Sequence, residues 1–118
     1  MAKLRLLLFI MIISAILLGC VFEANPTGSS FKIINKYYQP INTISISEIT
    51  DKGIYGWYYF PNLNITEGNS KIFELDYAMK PFKAEVIVSF NGKYDIKDVN
   101  FNLGKTTILT LNKKGILE

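Results

Sequence analysis

The sequence predicts an all-β fold: a single small antiparallel β-sandwich of six to seven strands, placed after an N-terminal hydrophobic signal helix. Three observations carry this. Beyond residue 30, apolar side chains recur at every second position, the period of a strand with one face buried. The clearest run is Phe82, Ala84, Val86, Val88 and Phe90, with Lys83, Glu85 and Ser89 between them. These runs are short and are separated by turn-forming residues. No amphipathic helical stripe of useful length follows Cys20. Several short strands, each with one apolar face, bury those faces by packing two sheets together.

The chain begins with a basic stretch, Lys3 and Arg5, and continues into an apolar run over residues 6–18 broken only by Ser14. Smaller residues then lead to Gly19. Basic start, apolar centre and small-residue cut site are the parts of a secretory signal. The residues Leu17-Leu18-Gly19-Cys20 resemble the lipobox of prokaryotic lipoproteins. The resemblance implies cleavage before Cys20 and a diacylglyceryl thioether on its sulfur. It also implies a chain lipid-anchored to the cell membrane on the extracytoplasmic side. Two other readings fit the same residues. In one, the segment stays uncleaved as an anchor, although residues 6–22 at about 1.5 Å each reach only roughly 25 Å across a core of about 30 Å. In the other, it is an ordinary secretory signal with an incidental cysteine. All three place the domain outside, because Lys3 and Arg5 keep the N-terminus cytoplasmic.

Four segments follow: a lipoprotein signal peptide at 1–19, a flexible tether at 20–30, a β-sandwich at 31–114 and a C-terminal tail at 115–118. Removing 19 of the 118 residues leaves 99, which suits one domain. Lys3 and Arg5 leave with the signal, so 11 basic and 10 acidic side chains remain, a net of +1. No basic patch large enough to suggest nucleic acid survives. The single cysteine, committed to lipid, leaves no internal disulfide, so packing alone must hold the domain. The chain has no histidine. That removes the commonest general base and the commonest zinc or copper ligand, and with them any Ser-His-Asp or Cys-His arrangement. No enzyme and no cofactor is expected.

The elements follow in order. The tether ends in Asn25-Pro26-Thr27-Gly28-Ser29-Ser30, residues that break structure and bury little. Residues 31–35 form the first strand. Residues 42–49 alternate Ile44 and Ile46 against Thr43, Ser45 and Ser47, and turn at Thr50-Asp51-Lys52-Gly53. Residues 54–65 are read as a long loop with at most one short strand around Tyr58. Phe73 and Leu75 mark a strand over 71–76. The long strand over 82–90 ends in Asn91-Gly92, which favours a type I′ hairpin because both residues tolerate positive φ. The return strand over 93–101 places Tyr94 and Ile96 inward, then Val99 and Phe101. That change of parity predicts a bulge near Lys97-Asp98. A last strand covers 106–111.

The predicted core is Phe31, Ile33, Ile44, Ile46, Phe73, Leu75, Phe82, Ala84, Val86, Val88, Phe90, Tyr94, Ile96, Val99, Phe101, Leu109 and Leu111. Each large member contributes on the order of 1.5–3 kcal/mol when fully buried, enough for a domain of this size. The second half, from Phe73-Glu74-Leu75 through Phe90-Asn91-Gly92-Lys93-Tyr94 to Gly104-Lys105-Thr106-Thr107, resembles the small transthyretin-like or immunoglobulin-like β-sandwich modules of prokaryotic surface proteins. The resemblance implies an architecture and not an activity.

The candidate ligand-binding residues are Tyr55, Trp57, Tyr58 and Tyr59, in the aromatic stretch between Gly53 and Phe60. Exposed Trp and Tyr stack on sugar rings and anchor protein contacts, because they combine large area with a polar handle. Three roles are open to the stretch: covering a sandwich edge, presenting a binding patch, or dipping into the lipid interface. Asp95 and Asp98 are close in sequence, and a glycosidase or calcium site would need them on one face. The expected function is a non-enzymatic membrane-anchored surface lipoprotein, an envelope accessory or adhesion-type module. Its expected partners are the membrane, through diacylglyceryl Cys20, and a glycan or protein. The alternative is a carbohydrate- or peptide-binding module using residues 55–60.

Overall fold

The computed structural model describes residues 28–76 and 79–118; the signal segment, Cys20 and most of the expected tether lie outside them. Seven strands form: β1 (Ser29–Asn35), β2 (Thr43–Thr50), β3 (Gly53–Phe60), β4 (Ser70–Leu75), β5 (Phe82–Phe90), β6 (Lys93–Phe101) and β7 (Thr106–Leu111). Among the described residues there is no helix. The strands make a three-stranded sheet in the order β4-β1-β7 and a four-stranded sheet in the order β3-β2-β5-β6. The inward faces of both sheets join one hydrophobic core, a sandwich-like arrangement. β1 contributes Phe31 and Ile33, and β7 contributes Leu109 and Leu111. Across from them lie Ile44 and Ile46 of β2 and Ala84, Val86 and Val88 of β5.

Five expectations need correction. The first concerns strand direction. β1 and β7 run parallel, while the other four pairings are antiparallel. A parallel pair needs a long crossover, and here the whole intervening chain supplies it.

The second is the loop expected over 54–65. Its first half is β3, an eight-residue edge strand paired with β2. Strict alternation is hidden because the register shifts between Ile46 and Ser47. Ile46 pairs with Tyr58 and Ser47 with Gly56, so Trp57 is the extra residue of a bulge.

The third and fourth concern β6. Its pairing with β5 is regular from Phe82–Phe101 to Phe90–Lys93, with no bulge at Lys97-Asp98. Parity therefore never switches. Val99 and Phe101 face inward together with Asp95 and Lys97, while Tyr94 and Ile96 face out and are exposed. The Asn91-Gly92 turn does form, with φ of 49° and 74°. As a two-residue hairpin it fixes that register.

The fifth is the C-terminal tail. Leu117 forms a bridge with Leu111, and Thr110 and Glu118 exchange two backbone hydrogen bonds of 2.9 Å. Leu117 is buried in the core, and its N–H donates to the Asp95 carboxylate at 2.8 Å. The segment thus covers the last two residues of the outer edge of β7, Thr110 and Leu111, which would otherwise expose unpaired backbone groups.

Candidate functional site

The aromatic residues of β3 divide by the face on which pleat and bulge place them. Tyr58 pairs with Ile46 and Phe60 with Ile44, both buried, so those two rings turn inward. The bulge turns Trp57 inward as well, and it stacks on Phe82 at 5.0 Å between centroids. A closed circuit of rings results. Phe31 meets Phe73 at 6.1 Å, Phe73 meets Phe60 at 4.4 Å, and Phe60 meets Tyr58 at 6.1 Å. Tyr58 meets Trp57 at 6.2 Å, and beyond Phe82 the circuit closes through Phe101 at 5.1 Å and Phe31 at 6.1 Å. These separations suit offset and edge-to-face contacts. The circuit crosses both sheets, so half of the predicted aromatic patch packs against the core.

The other two residues, Tyr55 and Tyr59, are exposed. Tyr55 lies opposite Glu48, whose carboxylate is 3.9 Å from Lys80 in the one ion pair among the described residues. Tyr59, 65% exposed, stands on the outer face of the four-stranded sheet. Its row across the sheet runs Tyr59, Ser45, Ile87, Ile96. The adjoining row runs Thr43, Ser89, Tyr94. Two tyrosines therefore flank a floor of Thr43, Ser45, Ser89 and Ile87. Sequence reasoning missed Tyr94 and Ile96 because it assigned them to the core. The signal that finds them is the parity of β5 carried through the Asn91-Gly92 hairpin.

The acidic pair separates. Asp95 faces inward toward Leu117, and Asp98 faces outward opposite Glu85. Among the described residues no group of three His, Cys, Asp or Glu could hold a metal ion. No helix long and apolar enough to cross a membrane is present among the described residues. A shallow depression of about 220 Å³ lies at the start of β5 and the end of β6, lined by Pro81, Phe82, Lys83, Asn100, Phe101 and Asn102. It contains no carboxylate and no nucleophilic hydroxyl or thiol among those side chains.

At the opposite end of the strands, a buried asparagine organises two loops. The Asn35 amide donates to the carbonyls of Gln39 at 2.9 Å and Ile65 at 2.8 Å, and its oxygen accepts from Tyr37 N–H at 2.8 Å. Beside it Tyr38 is exposed. Hydrogen bonding with the Tyr37 side chain holds the Tyr38 phenol above its ordinary value, against the opposing charge of Lys93.

No protein-family model matches the chain, and no curated protein does. Among solved structures, an NMR structure of a protein from Eubacterium rectale is similar, with a TM-score of 0.52. Identity is 16%, over 78% of this chain and 87% of that one. At that identity the likeness shows a common fold and nothing of function. The chain is thus a small all-β domain of two sheets on one core, with exposed aromatics on the outer face of the larger sheet.

Proposed function

We propose that the chain is a non-enzymatic lipoprotein held at the outer surface of the cell membrane through a diacylglyceryl thioether on Cys20. Its β domain would serve there as an envelope accessory or adhesion-type module of the transthyretin-like or immunoglobulin-like sandwich kind. The observation that carries this is Leu17-Leu18-Gly19-Cys20 at the end of an apolar run behind Lys3 and Arg5. Two features agree with it. The first strand begins at Ser29, nine residues after Cys20, so the tether is short. The core draws on no disulfide, which suits a chain whose one cysteine carries lipid. A single acyl chain anchors only marginally, so the thioether must carry two.

Intact mass of membrane-extracted protein tests the reading. The wild type should begin at Cys20 and carry added lipid mass, and Cys20→Ser should lose that mass. A full-length unmodified wild-type chain would overturn it.

A second reading, a carbohydrate- or peptide-binding module, is favoured by Tyr59 and Tyr94 on the outer face of the large sheet, both about two-thirds exposed. Replacing both with alanine should weaken retention on insoluble cell-wall glycan by roughly tenfold. Thermal stability should stay unchanged, because neither ring packs in the core. Unaltered retention would remove this reading.

A further inference from the structure

Three separate segments bring four lysines to one end of the domain. Lys36 follows the end of β1, Lys93 begins β6, and Lys113 and Lys114 occupy the turn after β7. The end is the one away from Ser29, where the chain enters, and seven residues of β1 separate the two by about 23 Å.

The convergence is built into backbone and rings. The Lys36 N–H donates to the Leu111 carbonyl at 2.8 Å, which sets Lys36 beside the turn carrying Lys113 and Lys114. Asn112 fixes that turn, its side-chain oxygen accepting from Lys114 N–H at 2.9 Å and Ile116 N–H at 3.0 Å. Gly115 then lies directly on Tyr37 and Phe90. A Cβ there would approach their rings to 3.2 and 3.3 Å. Phe90 pairs with Lys93 across the hairpin, and the Lys93 charge acts on Tyr38.

All four lysines are exposed, and none makes an ion pair among the described residues. The acidic side chains near this end are Glu67, on the turn bonded to Asn35, and Glu118, opposite Thr110; the Asp95 carboxylate is turned inward to Leu117. With Asp95 included, four positive and three negative charges give this end +1. The seven basic and seven acidic side chains left elsewhere after Cys20 sum to zero. Between the lysines stand Tyr38 and Ile116, 66% and 51% exposed.

We propose that this end of the domain binds an anionic polymer of the phosphodiester or polyphosphate type. The lysines are point charges on three separate exposed segments, an arrangement that suits a flexible chain of repeated phosphates. No arginine lies beyond Arg5, so the fork that reads single carboxylates or phosphates bidentately is absent from the domain. Because the end points away from the tether, the occupant is a polymer of the envelope and not the lipid headgroups beneath. That location rests on the extracytoplasmic reading; the binding itself does not.

The test uses detergent-solubilised full-length protein and end-labelled polyphosphate, with anisotropy followed from low to moderate salt. Wild type should bind with a salt-dependent affinity. The combined Lys93→Ser, Lys113→Ser and Lys114→Ser variant should lose at least about tenfold, and its salt slope should fall by roughly two to three units. Lys80→Ser with Lys83→Ser, at the other end, should retain binding, as should Cys20→Ser. Absence of wild-type binding would overturn the proposal, as would equal loss in the Lys80/Lys83 variant. So would lysine-dependent binding to phosphatidylglycerol vesicles without binding to the polymer. Failure of the lipoprotein reading appears separately, in the Cys20 mass.

Discussion

Phe101→Ala should lower the stability of the domain by about 3–5 kcal/mol, a large part of the 5–15 kcal/mol that holds a typical domain. Phe101 is fully buried at the end of β6. It stacks on Phe82, its partner across the four-stranded sheet, and meets Phe31 of the other sheet edge-on. Truncation therefore removes one of the two points at which the aromatic circuit passes between sheets, the other being Phe60 on Phe73. The void left is bounded by stiff rings on strands locked in register, which restricts collapse. For a domain of this size the melting temperature should drop by roughly 15 °C or more. Ile96→Ala, on the same strand, is the control. Its side chain stands on the outer face, and its loss should cost less than about 0.5 kcal/mol. Denaturant unfolding of the two variants decides the register of β6. If Ile96→Ala costs as much as Phe101→Ala, the strand faces the other way.

That contrast marks where the sequence could be read and where it could not. β5 was legible because it is a central strand. It is paired on both sides, and its inner face must be apolar at every second residue. β6 is an edge strand, so its outer face tolerates Tyr94 and Ile96 and its inner face tolerates Asp95 and Lys97 near the rim. Hydropathy alone then gives the wrong parity. The information was nonetheless present two residues earlier. A two-residue turn at Asn91-Gly92 places Lys93 opposite Phe90, and odd-numbered residues must follow Phe90 inward. β3 failed for a related reason, because the extra residue at Trp57 breaks the period of two in a strand already at an edge. Of the three roles open to its aromatics, Trp57, Tyr58 and Phe60 take the packing one, against the core, while Tyr55 and Tyr59 stay exposed. Leu117 could not be placed from sequence at all. One leucine after a Lys-Lys-Gly turn has no periodicity, and only its bridge to Leu111 brings it in.

The buried asparagine was equally invisible, and Asn35→Ala should be the most damaging polar substitution, at about 3 kcal/mol. Asn35 is fully buried. Its backbone ties β1 to the turn over 66–69, donating to the Asn69 carbonyl at 2.9 Å and accepting from Gly68 N–H at 2.7 Å. Its side chain makes three further bonds, to Gln39, Ile65 and Tyr37. The Ile65 carbonyl would survive the loss, since it also accepts from Ile41 N–H at 3.0 Å. The Tyr37 N–H and the half-buried Gln39 carbonyl would lose their partner, and an orphaned buried group costs about 1–3 kcal/mol. The loop they stabilise sets Tyr37 against Phe90, so the damage should reach the lysine-bearing end. Asn35→Asp sharpens the test. The carboxylate can still accept from Tyr37 N–H, but it turns an acceptor toward the Gln39 and Ile65 carbonyls. Burial and those carbonyls disfavour its charged form, which raises its pKa in the folded state. A raised carboxyl pKa means the folded protein binds the proton more tightly than the unfolded chain, so stability relative to wild type should recover as pH falls from about 7 toward about 4. Once protonated, the introduced carboxyl would donate one bond again. Asn35→Ala offers no such group, so its deficit relative to wild type should stay flat over the same range. Equal pH dependence of the two deficits in urea unfolding would mean that the carboxylate is not held against Gln39 and Ile65.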